Sequence, residues 1–178
     1  MHKLSIIIVL LGLHGMAMSA PIADCPAELA RQTAQVASMS LKEFDLTPDS
    51  GWRVLADAQC FSEAESILKR YLESNGPQSS LFIHLGQIEL RLDKRVEAER
   101  NFMLALRPGD SANLPFKFND FVLALAAYAA GDRTKFLTHY AIIERHAENI
   151  GNGRNLKLLT AIRDNFDRKY LDILNSLR

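Results

Sequence analysis

From Asp24 to the C-terminus the chain carries one kind of periodicity. Between successive Gly, Pro or Asn turn signals the apolar residues recur at three- and four-residue steps, and no stretch alternates apolar with polar residues. Steps of three and four line up side chains on one stripe of a helix, whereas a half-buried strand needs a step of two. The chain is therefore expected to be all-α, made of short helices that bury one another's stripes. With 48% hydrophobic residues it has the apolar surface to do so.

The turn signals predict the helix boundaries. Asp24 caps a first helix with Pro26 in its opening turn, and Ala30, Ala34, Ala37, Leu41 and Phe44 give it one apolar face. Thr47-Pro48 predicts a second helix running to about Gln59, and Ser62 to Glu65 has the form of a capping box for a third that stops at Gly76-Pro77. Ser79 opens a helix to about Leu92, and Asp93 caps the next, which ends near Pro108-Gly109. A loop through Asn113-Leu114-Pro115 precedes a helix to Ala130, with Gly131 as its C-terminal cap and Asp132 as the following N-cap. Gly151-Asn152-Gly153 reads as a separating turn, and Asn165-Phe166-Asp167 as a break in the last segment.

Residues 1–19 read differently. Lys3, the apolar run Leu4 to Leu13 and the small residues up to Ala20 follow the order of a secretory signal peptide. The run is shorter than the roughly 20 apolar residues of a spanning helix. Cleavage after Ser19 would leave a single domain over 20–178, periplasmic or secreted, without a stable membrane anchor. Export changes the meaning of the two cysteines, Cys25 and Cys60. In an oxidising compartment an even pair reads as a disulfide, with two separate buried thiols as the alternative. The bond would close a loop of about 36 residues and stabilise by roughly 3–4 kcal/mol.

Spacing between helices adds a second constraint. Phe82, Leu85 and Gly86 are followed by Ala98, Phe102, Ala105 and Pro108. This resembles the tetratricopeptide repeat, a helix-turn-helix of about 34 residues. Trp52, Ala64, Leu68 and Tyr71 occupy the equivalent places one repeat earlier; Ala124, Phe136, Tyr140 and Ile143 do so one repeat later. Glu89 stands where the pattern has Tyr, Trp52 where it has Gly, and Phe136 where it has Ala. The resemblance covers about residues 45–178 and implies stacked hairpins over roughly 47–76, 79–108, 115–150 and 154–178, in a right-handed array preceded by an extra N-terminal helix.

Chemistry-bearing motifs are sparse. Twenty-one basic and 21 acidic residues cancel, so no excess of Lys and Arg points to nucleic acid. His139 and His146 lie two helical turns apart but have no third ligand in a zinc pattern, and neither cysteine belongs to a C-x-x-C pair. Gly151 to Asn155 offers a Gly-rich helix start without the strand and Lys of a phosphate loop. Glu144 and Glu148 read as solvated charges. Glu89 alone among the acids sits within an apolar helical neighbourhood, which is thin ground for acid catalysis. The expectation is no catalytic residue, no metal and no cofactor.

What the repeat resemblance implies is a protein or peptide partner, held on the face built by the first helix of each hairpin. Mapping the pattern puts Arg53, Asp57, Ile83, Gln87, Leu90, Arg91, Phe118, Phe121, Leu125 and Tyr128 on that groove. Arg and aromatic groups are favoured at interfaces. An exported adaptor is the first expectation. An immunity or inhibitor protein against a secreted toxin is the alternative, and a cell-wall hydrolase a more distant one.

Overall fold

A computed structural model of the chain describes residues 24–109 and 114–177; the expected signal peptide lies outside the described residues. Among the described residues there are nine α-helices and no strand. They are α1 (Cys25–Thr33), α2 (Gly51–Asp57), α3 (Phe61–Asn75), α4 (Ser79–Arg91), α5 (Arg95–Ala105), α6 (Phe118–Ala130), α7 (Arg133–Arg145), α8 (Ile150–Asp164) and α9 (Tyr170–Asn175). From α2 to α8 each helix packs on the next, α1 packs on α2 and α3, and α6 also meets α8. The last helix returns to pack on α4 as well as α8, so the segment 154–178 is not a plain terminal hairpin.

Several ends form as the local chemistry dictates. Asp24 accepts the Ala27 N–H at 3.1 Å with Pro26 in the first turn of α1. Gly131 closes α6 in the left-handed conformation that costs a glycine least, and Asp132 caps α7 through the Lys135 N–H.

Other ends differ from the sequence expectation. The first apolar stripe does not form one helix: α1 stops at Thr33, followed by a 3₁₀ turn at Val36–Ser38 and a wide π turn at Lys42–Leu46. These breaks let both Val36 and Phe44 reach the core, where Phe44 stacks on Tyr71 at 4.0 Å. Helix α2 starts at Gly51 rather than after Thr47, because Asp49 and Gly51 both have positive φ and turn the chain first. The Ser62 capping box does not form. Helix α3 starts at Phe61, next to Cys60, and Glu65 bonds to two lysines instead of reaching back. Asp93 adopts a positive φ and salt-bridges to Lys169 at 2.7 Å, leaving Lys94 at the start of α5. Gly151 to Gly153 lie inside the first turn of α8, capped by Asn149.

Two hydrophobic cores share helix α4. Leu81, Leu85 and Ile88 belong to the first, with Trp52, Leu55, Ile67, Leu68 and Tyr71; Ile83 and Leu90 belong to the second, with residues of α5 to α9. Gly86 faces Phe102 so closely that a Cβ there would lie 2.6 Å from Cε1 of the ring. Cys25 and Cys60 form a disulfide with their Cα atoms 5.6 Å apart, fastening α1 to the start of α3.

A polar seam joins α3, α4 and α5. Glu65 accepts from Lys69 at 2.6 Å and from Lys94 at 2.5 Å. Glu89, with 0% of its surface exposed, accepts from Asn101 at 2.6 Å and lies 3.4 Å from Lys69. Burial raises the Glu89 pKa above the ordinary carboxylate value, and the Asn101 and Lys69 contacts offset this only in part.

Candidate functional site

With two edges of α4 committed to the two cores, a third carries Ser80, His84, Gln87 and Arg91 at steps of four, three and four. Two cavities open along this edge and meet at His84 and Gln87. The first, about 250 Å³, lies between α2, α4 and α9, with Trp52, Arg53, Asp57, Arg91, Leu171 and Leu174 in its walls. The second, about 390 Å³, lies between α4, α6, α8 and the segment before α6. Its apolar walls are Ile83, Phe116, Phe118, Phe121 and Leu158; Arg107 and Arg154 stand beside them.

An aromatic and ionic cluster holds the junction. Asp45 is buried and accepts from the Trp52 indole at 3.2 Å and from Arg53, and its carboxylate lies 3.3 Å from His84 Nε2. His84 in turn stacks on Trp52 at 4.6 Å, and the Arg53 guanidinium lies over the other part of that cluster, 4.6 Å from the Trp52 ring. Burial alone would raise the Asp45 pKa; the contacts from His84, Trp52 and Ser80 outweigh it and hold the group below its ordinary value. The cluster is thus a fixed carboxylate that orients three side chains facing the cavities.

The second cavity depends on Asn152. Its amide donates to the carbonyls of Pro115 at 2.8 Å and His146 at 2.9 Å, and its Oδ1 accepts the Lys117 N–H at 2.9 Å. These bonds fix the segment before α6, which places Phe116 against Gly151: a Cβ on Gly151 would lie 2.7 Å from the Phe116 ring. The Gly-rich stretch therefore serves packing. Its first N–H groups are taken up by Asn149, whose Oδ1 accepts from Gly151 and Asn152.

Of the residues expected on a groove, Arg53, Asp57, Gln87 and Arg91 line the first cavity, and Ile83, Gln87, Phe118 and Phe121 line the second. Leu90, Leu125 and Tyr128 do not line either; they are core residues. For Tyr128 the cause is the returning C-terminal segment. Phe166 meets the Tyr128 ring edge-on at 5.5 Å and Tyr170 lies 6.1 Å from it, covering this part of α6. Tyr170 is itself so enclosed that burial pushes its pKa up to about 12. The sequence reading missed Asp45, His84, Phe116, Arg107 and Arg154, none of which belongs to a repeat signature position.

Chemistry of other kinds finds little support. His139 is held by Asp120 at 2.9 Å and His146 lies 3.7 Å from Glu148. Among the described residues the one grouping of metal-type ligands is Cys25, Cys60 and Glu63, and its two sulfurs are bonded to each other. No helix among the described residues is long and apolar enough to cross a membrane. Compared with protein-family models, curated proteins and solved structures, the chain matches none.

Proposed function

We propose that the protein is an exported peptide- or protein-binding module, a stack of tetratricopeptide-like hairpins whose partner lies on the face built by α2, α4, α6 and α8. The observation that carries this reading is the pair of confluent cavities along α4, walled by aromatic and Arg side chains, both of which are enriched at interfaces. Packing supports the repeat in its first two units: Ala64 and Ala98 are fully buried where the pattern needs a small contact, and Leu68 and Phe102 where it needs a large one. In the third unit Ala124 is buried at the Gly86 position, while Phe136 fills the place of the small residue. The C-terminal helix closes one end of the face, and binding is assigned to the open remainder.

Export is supported by the N-terminal pattern together with the Cys25–Cys60 bond. Intact mass of the exported protein should show removal of residues 1–19 and of two hydrogens.

The binding reading is tested by photo-cross-linking in the producing cells. A cross-linking amino acid at Gln87 on the face should trap a partner, and one at Arg100 on the exposed side of α5 should not. Trapping at Arg100 alone, or at neither position, would overturn the reading. A single toxin as the trapped species would make the module an inhibitor.

A further inference from the structure

We infer that the cavity between α4, α6 and α8 takes a peptide segment in which carboxylate side chains flank one bulky apolar side chain. This deepens the proposed peptide-binding function and rests on it.

The charge of the cavity is the first argument. Arg107, Arg154 and His84 line it, and no carboxylate does among the described residues. Arg154 is exposed and makes no ion pair or hydrogen bond with the described residues, while the Arg107 guanidinium lies flat on the Phe118 ring, 3.5 Å from its centroid. Other cations of the protein are neutralised by carboxylates: Lys69 and Lys94 by Glu65, Arg53 by Asp45, Lys169 by Asp93. Two guanidinium groups without a carboxylate partner among the described residues thus stand beside one apolar cavity.

The floor is the second argument. Phe116, Phe118 and Phe121 with Ile83 and Leu158 offer an aromatic and aliphatic seat of about 390 Å³, which accommodates a large side chain. An occupant that filled this seat without acidic groups would cover two guanidinium groups and remove their water with no compensation. Carboxylates can meet an Arg fork with two parallel hydrogen bonds, so an acidic flank turns that loss into attraction and orientation. Nucleic acid fits poorly, because its binding needs many phosphate contacts and the chain as a whole has a formal charge of +0.

The inference also fits how the seat is built. Asn152 holds the segment carrying Phe116, and Arg154 stands two residues later on α8. The start of α8 therefore anchors the apolar wall and carries part of the charge.

The test is selection of a random short-peptide library against the full exported chain, followed by fluorescence anisotropy of the selected peptides. Selected sequences should be rich in Asp and Glu beside Phe, Tyr, Leu or Met. Arg154→Glu and Arg107→Glu, exposed changes checked by thermal melts, should each weaken binding about tenfold or more, as close charge pairs at interfaces do. Added salt should weaken the native protein's binding in the same direction. A block at the rim, Asn155→Trp, should abolish it. Neutral or basic peptides that Asn155→Trp displaces but the Arg variants do not would overturn the acidic inference and leave the peptide-binding reading standing. A selection that returns no peptide sensitive to Asn155→Trp would overturn both.

Discussion

Tyr128 Oη donates a 2.7 Å hydrogen bond to the carbonyl oxygen of Arg168, tying the end of α6 to the segment that leads into α9. The same ring is capped by Phe166 and Tyr170, and the Arg95 guanidinium lies 4.9 Å from its centroid while donating to the Ala129 carbonyl. One tyrosine thus joins three elements that are far apart in sequence. The contact covers the end of α6 that carries Tyr128.

Tyr128→Ala should behave as a core truncation, destabilising by about 3–5 kcal/mol, because it empties a fully buried aromatic site. Tyr128→Phe keeps the ring and loses the bond to Arg168, at a cost of about 1 kcal/mol. Urea unfolding distinguishes the two. Hydrogen exchange in α9 should speed up in both. A Tyr128→Ala protein as stable as the native one would return this residue to an open groove.

A second prediction concerns Gly86. The Phe102 ring has no exposed surface and cannot swing outward to admit a side chain. Gly86→Leu should therefore overpack the α4–α5 contact and destabilise by roughly 1–3 kcal/mol, despite the better helix propensity of Leu. Adding Phe102→Ala should restore part of the loss, since the new side chain can enter the vacated space. Strictly additive effects of the two changes would mean that the residues do not compete for that space.

Legibility from the sequence followed distance along the chain. Asp24, Gly131 and Asp132 were readable because a cap is decided within four residues. Gly86, Ala98 and Phe102 were readable because small residues at helical spacing opposite a large one mark where two helices pack closely. Ser62 misled because its helix start is shifted by Cys60, and because Glu65 is claimed by Lys94, 29 positions away. The covered state of Tyr128 depends on the segment from Phe166 to Tyr170 returning to α6, a contact with no local signature. At the candidate site Arg53, Gln87, Arg91 and the two phenylalanines of α6 were expected from the repeat resemblance, and they line the two cavities. Arg107 and Arg154 were not expected. Arg107 lies in an irregular turn fixed by Asn119, whose side chain pairs with the Arg107 backbone, and Arg154 on α8 meets the cavity only because Asn152 ties the segment before α6 to that helix.

The last prediction rests on the buried Glu89. Burial raises its pKa above the ordinary carboxylate value, so the folded protein holds this proton more tightly than the unfolded chain does. Where the folded state binds more protons, stability falls as pH rises. Glu89 therefore subtracts stability as pH climbs from its unfolded pKa, about 4.3, through its raised folded one, and subtracts no further above that. Asp45 and Glu65, both held below their ordinary values, act in the opposite sense at lower pH, so the native curve alone mixes these effects. Glu89→Gln isolates the term. Its amide oxygen can still accept from Asn101, and Lys69 keeps its 2.6 Å contact with Glu65. Urea unfolding across the interval from about pH 4 to pH 7 should show the native protein losing ground against Glu89→Gln as pH rises, then a constant difference. A difference that stays flat throughout would mean that Glu89 titrates alike in the folded and unfolded chain, and that Lys69 and Asn101 fully compensate its burial.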